Sequence, residues 1–421
     1  MIRRQSGRVL RVGVFGIFGT GNSGNEASLD AMLSYLRASH PEAVIDAMSS
    51  GFTQLPIKHR IGATPLAWYE YHEQAPRPAR PILKICGKAI DPVRIVLWVR
   101  THDAVIVPGM GVLEDTTPLH AYGFPLAMFL LAAAGRVCRV KVALVSVGAS
   151  VVKKRATRFL FSRCASMAAY RSYRDDYSMQ AVRQGGVDTA GDRVYPDLAF
   201  SLPVPPYDSG DPLLVGVGVM AYNGGNNDQA RAAELHSVYL DKMTTFVRWL
   251  LENGYHVRFF GGDDLWDYAI AGEIIDRVRL ECPYIDVTAR VTAEPFGSYA
   301  DLLRELNRVG TMVATRYHNV LGALKLCKPT IAIGYAQKFV PLMEGMGMGE
   351  FVQFADSFDG DLLIKQFAAI QRRRAELVPE LARCNAANAE SLAQQFAALS
   401  VLLFGEEGQG EVSRDPGKVL N

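Results

Sequence analysis

Short, continuous apolar runs alternate with amphipathic stretches along most of this chain. Residues 9–17, 44–48, 104–107 and 140–147 are rich in β-branched and aliphatic side chains with few polar interruptions. Such runs are expected of parallel strands covered on both faces, not of half-exposed strands with alternating polarity. Between them, helical periodicity predicts helices over about 26–38 and 120–134. Strand–helix–strand repetition of this kind implies a doubly wound parallel sheet.

The alternation breaks once. Residues 203–212 hold four prolines and a Ser-Gly pair, a density that neither neighbour has, and they read as a linker. Beyond it the pattern restarts, with strands predicted at 213–219, 257–260, 285–287, 311–314 and 329–333. Helices are predicted at about 229–253, 265–280 and 299–307, and a long one at 361–402. The fold class is therefore α/β: two doubly wound Rossmann-like domains facing across a cleft (GT-B-like), closed by a long C-terminal helix. The boundaries are 1–204 for the first domain, the acceptor side, and 205–404 for the second, the donor side. A polar tail at 405–421 is expected to be disordered.

Composition narrows this further. The 421 residues suffice for two cores, and 49% hydrophobic against 21% charged is globular composition. A net charge of +2 gives no reason to expect nucleic-acid binding. Six scattered cysteines lack metal-ligand or CxxC spacing, which points to free thiols in a reducing compartment. The basic N-terminus runs straight into a strand without the apolar core of a signal peptide. The longest apolar run, 121–135, contains a proline and is too short to span a bilayer. These features predict a cytoplasmic protein.

Charge is less even locally. Residues 77–100 carry Arg77, Arg80, Lys84, Lys88, Arg94 and Arg100 against Asp91 alone, interleaved with Ile82, Leu83, Ile85, Ile90, Ile95, Val96, Leu97 and Trp98. From Lys153 to Arg174 there are seven basic residues and no acid. Both read either as solvated helix faces or as a surface for a lipid-linked or anionic acceptor, which would hold the protein peripherally at the inner face of the membrane.

Two turns carry candidate chemistry. The first, Phe18 to Glu26, follows a strand and opens a helix, with Gly19, Gly21 and Gly24 in a GxGxxG spacing. Backbone N–H groups there can approach an anion. A dinucleotide site would need an acid about twenty residues on, and Asp46 falls inside the next strand. Asn22, Asn25 and Glu26 suit a polyol better, and a purely structural turn is the third reading. In the second turn a buried strand ends at Ala314, which puts Thr315, Arg316, Tyr317 and His318 at the carboxyl edge of a parallel sheet, where ligands bind in open α/β folds. Arg316 can grip a carboxylate or phosphate with two N–H groups. His318 can exchange a proton near neutral pH.

Five segments in order resemble the polysaccharide pyruvyl transferase family. GTGNSGNEASLDAML resembles its Gly-Asn-x-Gly-Asp-Glu-Ala opening, with Asn25 for Asp. VIVPGMGVLEDT resembles its glycine-rich strand end, with Pro108 and Met110 for glycines. SYRDDYS and YPDLAFSLP resemble its Arg-Asp-x-x-Ser and Pro-Asp segments. ATRYHNVLGALKLCKPTIAIGYAQK resembles its Arg-Leu-His segment and downstream Tyr-x-x-Lys, with Tyr317 for leucine.

The resemblance implies transfer of pyruvate from phosphoenolpyruvate to two hydroxyls of a sugar or glycolipid, giving a cyclic ketal and phosphate. It implies Arg316 and Arg174 on the donor, His318 as acid–base and Lys338 in support. Gly21, Asn22, Asn25 and Glu114 join them as substrate-binding candidates, and Glu26 as a catalytic one. The second proton role falls to Glu26, Glu114 or Asp115. For Arg174 the alternative is a salt bridge to Asp175 or Asp176. Arginines can neutralise the phosphate, so neither metal nor cofactor is expected. The competing classes are a nucleotide-sugar glycosyltransferase with Asp263 and Asp264 as ribose ligands, a nicotinamide oxidoreductase and a non-catalytic sugar-binding module.

Overall fold

The computed structural model describes residues 9–405, apart from 73, 115–120, 225–228 and 263–264. Seven strands form the first sheet: β1 (Arg11–Gly16), β2 (Val44–Ser49), β3 (Gly62–Pro65), β4 (Ala104–Pro108), β5 (Lys141–Val147), β6 (Tyr170–Tyr173) and β7 (Arg193–Val194). They lie in the order β3-β2-β1-β4-β5-β6-β7. The second sheet is built from β8 (Asp211–Gly218), β9 (His256–Phe260), β10 (Val291–Thr292), β11 (Val309–Ala314), β12 (Thr330–Gly334) and β13 (Val352–Phe354), in the order β10-β9-β8-β11-β12-β13. Every strand pairing is parallel. The central strands are buried on both faces: Val12, Val14, Val105, Ile106, Val215, Val217, Met312 and Val313 are fully inaccessible. Each sheet reverses its strand order once, between β1 and β4 and between β8 and β11. At such a reversal the loops on the carboxyl edge diverge and open a crevice.

One predicted strand is not there. Residues 285–287 read as a short β-branched run, but Asp286 accepts a hydrogen bond from the Ala289 N–H and caps a helix, Val287–Arg290. The strand comes just after it, as β10. A local cap outcompetes β-propensity here.

The last helix, Gly360–Phe404, spans 45 residues and buries a stripe from Leu363 and Phe367 to Leu399 and Leu403. Its end leaves the second sheet and packs on the first. Gln395 is fully buried, donating to Ser172 Oγ at 2.7 Å and accepting from Ser146 Oγ at 3.0 Å. Ser400 meets the Tyr35 hydroxyl at 2.5 Å and the His40 ring at 3.2 Å, while Phe396 stacks on Tyr35 with ring centres 4.5 Å apart. The expected tail at 405–421 lies outside the described residues except for Gly405, whose positive φ ends this helix. All six cysteines are free thiols. No helix of the described residues is long and apolar enough to cross a membrane.

Candidate active site

A cavity of about 700 Å³ lies where the two strand-order reversals face one another. The first sheet contributes the turn after β1 (Ile17, Thr20 to Ser23, Asn25), the turn after β4 (Met110 to Val112, Glu114) and Arg174 just beyond β6. The second contributes Met220, Gly262, Arg316 to Asn319, Tyr335 and Lys338, all following its strands. Eight of the nine candidates, Gly21, Asn22, Asn25, Glu114, Arg174, Arg316, His318 and Lys338, line this one space.

Glu26 does not. Its carboxylate accepts the Gly19 N–H at 2.5 Å and lies 3.4 Å from Lys58 Nζ and 3.5 Å from the His59 ring. Burial raises the pKa of this group, but the His59 hydrogen bond, the Lys58 charge and the Gly19 N–H outweigh it and hold the carboxyl below its ordinary range. A carboxylate so engaged braces the glycine turn from behind. Asp115, Asp263 and Asp264 lie outside the described residues.

The turn itself is built for close approach. Asn22 caps the helix Ser23–Ser39 by accepting from the Asn25 N–H. Asn25 Nδ2 donates to the Ile17 carbonyl at 2.9 Å, a bond that an aspartate could not make. Gly24 is pressed against the second domain, since a β-carbon there would fall 1.9 Å from the His318 ring. Asp46, the acid that a dinucleotide reading would use, sits within β2 and is held by Trp98 Nε1 at 2.8 Å, the His102 ring at 3.0 Å and Arg11 at 3.3 Å. The nicotinamide reading loses its carboxylate. After β4, Met110 adopts φ of +59°, a left-handed conformation that favours glycine, and the resemblance places glycine there.

Arg174 is enclosed by carboxylates. It pairs with Glu114, with Asp197 at 3.4 Å and with Asp175 at 3.7 Å, and its guanidinium lies 4.8 Å from the centre of the Tyr317 ring. Burial disfavours its charge, yet Tyr317, Glu114, Asp197 and Asp175 together hold its pKa above the ordinary value. The salt bridge to Asp175 forms; Asp176 takes no part in it. Glu114 also reaches Lys338 at 3.2 Å, so one carboxylate spans two cations from different domains. Gly148 leaves the room Arg174 needs, because a β-carbon there would lie 2.6 Å from its Nη2.

Arg316 is held differently. Asp267, fully buried at the start of the helix Leu265–Glu281, takes its Nε and Nη2 at 2.7 Å each. Asp267 is itself fixed by the N–H groups of Ala221 and Gly262. The side chain of Arg316 remains about a third exposed. It also stands at the N-cap of the helix Tyr317–Lys325, which carries no side-chain cap, so the positive end of that helix faces the cavity.

His318 stands between these groups, with its ring against Gly24. Loss of solvent pushes its pKa down to about 4, opposed by Asp197 and reinforced by Arg174 and Lys338. It is a neutral imidazole near pH 7. Asp267, Asp197 and Tyr317 carry much of this arrangement. Tyr317 was placed at the sheet edge with Arg316 and His318, and Asp197 had a local signal in the Pro-Asp pair at 196–197; Asp267 had none. Among the described residues no group of three or more His, Cys, Asp or Glu side chains could hold a metal ion.

Two doubly wound sheets meeting edge to edge over a cavity lined by cations define a GT-B-like α/β protein. The sequence profile of the polysaccharide pyruvyl transferase family matches residues 22–337, and the chain belongs to that family. Membership makes it a transferase that carries pyruvyl groups to polysaccharide. No curated protein shows significant similarity to it. Solved structures similar to it include a UDP-N-acetylglucosamine 2-epimerase (TM-score 0.60, 11% identity, covering 96% of this chain and 98% of that one). The Neisseria meningitidis UDP-GlcNAc 2-epimerase bound to UDP-GlcNAc is similar too (0.58, 9%, 93% and 100%). So is Anabaena HepE in complex with UDP (0.57, 11%, 93% and 99%). At these identities the likeness is one of fold.

Proposed function

We propose that the protein transfers pyruvate from phosphoenolpyruvate to two hydroxyls of one sugar, closing a cyclic ketal and releasing phosphate, in the cytoplasm and without a metal or cofactor. The convergence of Arg316, Lys338 and Arg174 with a neutral His318 on one cavity, in a chain of this family, supports the reading. The donor offers a carboxylate and a phosphate, and the cavity offers cations already aimed by Asp267 and Glu114. Preorganised charge of this kind costs no reorganisation when the phosphate departs.

Chemically, C3 of phosphoenolpyruvate gains a proton and C2 becomes oxocarbenium-like. One sugar hydroxyl bonds to C2, the C2–O bond to phosphate breaks, and the second hydroxyl closes the ring. Two hydroxyl protons are lost; one is balanced by the new methyl group and the other leaves with phosphate. His318, neutral in the free protein, takes a hydroxyl proton first. An anionic donor beside it favours the resulting imidazolium, which can then return the proton. Glu114, committed to Arg174 and Lys338, positions those cations; Glu26 holds the turn.

A thermal-shift comparison tests the reading. Phosphoenolpyruvate at saturating concentration should raise Tm by several degrees, because a ligand at 100 times its Kd stabilises by ~2.7 kcal/mol. Phosphate release should then depend on a glycan acceptor. Stabilisation by a nucleotide sugar and not by phosphoenolpyruvate would replace the reading with glycosyl transfer.

A further inference from the structure

The helix Arg80–Val99 buries one face and leaves the opposite one bare. Gly87, Asp91, Ile95 and Val99, four residues apart, point inward. Trp98 also turns in, to Asp46, so it is no part of the outer surface. On the far side Ile82, Ile85, Val93 and Leu97 form a stripe at helical spacing, with Ile82 64% and Ile85 73% exposed. The helices Phe124–Cys138 and Arg155–Met167 pack beside it in series and add exposed Val137 and Phe159. Charge on this face has one sign. Arg136 is exposed beside Val137 on the second helix, and Arg155, Arg158 and Arg163 are exposed around Phe159 on the third. Arg80, Lys84 and Lys88, also exposed, run along the other edge of the first helix, toward Ala75 and Tyr69. The three helices contain a single acid, Asp91, buried against Arg94 at 2.9 Å.

Two recesses lie on the inward side of the first helix. One of about 310 Å³ lies between Tyr69, His72, Arg80, Leu83 and Lys84, with basic groups on its walls. The other, about 210 Å³ and mostly apolar, runs between the first two helices; Ile17 and Phe124 line both it and the active cavity.

We propose that these three helices form a docking face for an anionic phospholipid bilayer. A bilayer supplies both anionic headgroups for the cations and hydrocarbon for the apolar stripe. A second copy of the chain meeting this face in a two-fold contact would set cation against cation.

Co-sedimentation of the full chain with vesicles tests it. Phosphatidylglycerol-containing vesicles should bind the protein at low salt and release it at high salt, because screening shortens the reach of surface charge to about 10 Å at 0.1 M. Phosphatidylcholine vesicles should not bind it. The triple variant Arg136→Gln, Arg155→Gln, Arg163→Gln should bind at least about tenfold more weakly. Ile82→Glu with Ile85→Glu should also lose binding, while both variants keep their Tm and their turnover on a water-soluble acceptor. Equal binding to neutral vesicles, or equal binding by wild type and both variants, would overturn the proposal. So would a dimer in lipid-free solution that Ile82→Glu with Ile85→Glu dissociates, which would make the face an interface between copies.

Discussion

Arg174 and Arg316 line the same cavity, one from each sheet, and the protein holds them in opposite ways. Arg174 is held among Glu114, Asp175 and Asp197 beneath Tyr317, all of them buried. Among the described residues Arg316 rests on Asp267 through a two-point contact, and it keeps a third of its side chain open. A cation surrounded by carboxylates is chiefly a structural hub, since its removal strands several buried charges. A cation gripped along one edge and still partly open is aimed. The first sheet thus fixes the frame of the cleft, and the second presents the reactive edge.

Substitutions can break that contrast. The largest effect is expected from Arg174→Met, which leaves Glu114, Asp175 and Asp197 buried without their shared partner and should cost about 3–5 kcal/mol of stability in urea unfolding. A variant that folds as well as wild type but fails to bind phosphoenolpyruvate would make Arg174 a donor ligand like Arg316. Next, His318→Gln should keep its fold and lose turnover by about 10²-fold or more. Full activity per folded molecule would reduce His318 to a packing residue against Gly24.

Arg316→Lys keeps the charge and loses the two-point geometry, so kcat/KM for phosphoenolpyruvate should fall by about 2 kcal/mol in transition-state terms, with Tm little changed. Asp267→Asn should move kcat/KM the same way, acting through the aim of Arg316. An unchanged kcat/KM in both variants would end the argument that this edge meets the donor.

A smaller effect concerns pH. The pKa of His318 is about 4 in the folded chain against an ordinary 6.5, so between these values the unfolded chain binds the extra proton. Native stability is then undiminished above pH 6.5 and falls as pH drops toward 4, by roughly 1 kcal/mol at about pH 5.5. His318→Gln should flatten that part of the profile, and parallel profiles for the two proteins would place the pKa of His318 near its ordinary value. EDTA should have the smallest effect, none, because the phosphate charge is assigned to Arg316 and Lys338 in the frame that Arg174 holds. Loss of activity restored by Mg²⁺ would reassign it.

Much of this architecture was legible because buried parallel strands leave continuous apolar runs. β1 and β5 lie within such runs, β4 and β11 overlap them, and β8 overlaps one although it begins at Asp211, inside the stretch read as a linker. The edge strands β3, β7 and β13 escaped, being two to four residues long and partly polar. The residues Arg316 and His318 were readable because a buried run ends just before them, which fixes them to a sheet edge. Asp267 was not, since its partner lies 49 residues away, and the Pro-Asp pair marked Asp197 without tying it to Arg174, 23 residues away. Glu26 was misplaced for a related reason: its motif tells which turn it belongs to, but helical geometry decides which side of the turn its carboxylate occupies.

The return of the last helix to the first sheet has a consequence for synthesis. Tyr35, His40, Ser146 and Ser172 all bond to Gln395 or Ser400, residues polymerised more than 200 positions after them. While the second half is still being made, the first sheet carries an uncovered patch around Tyr35 and Ser172. It cannot reach its finished state on the ribosome ahead of the rest. The order of translation and the order of completion are therefore reversed for this half. A chain stopped after residue 390 would release a first domain whose sequence is whole but whose surface is open to aggregation.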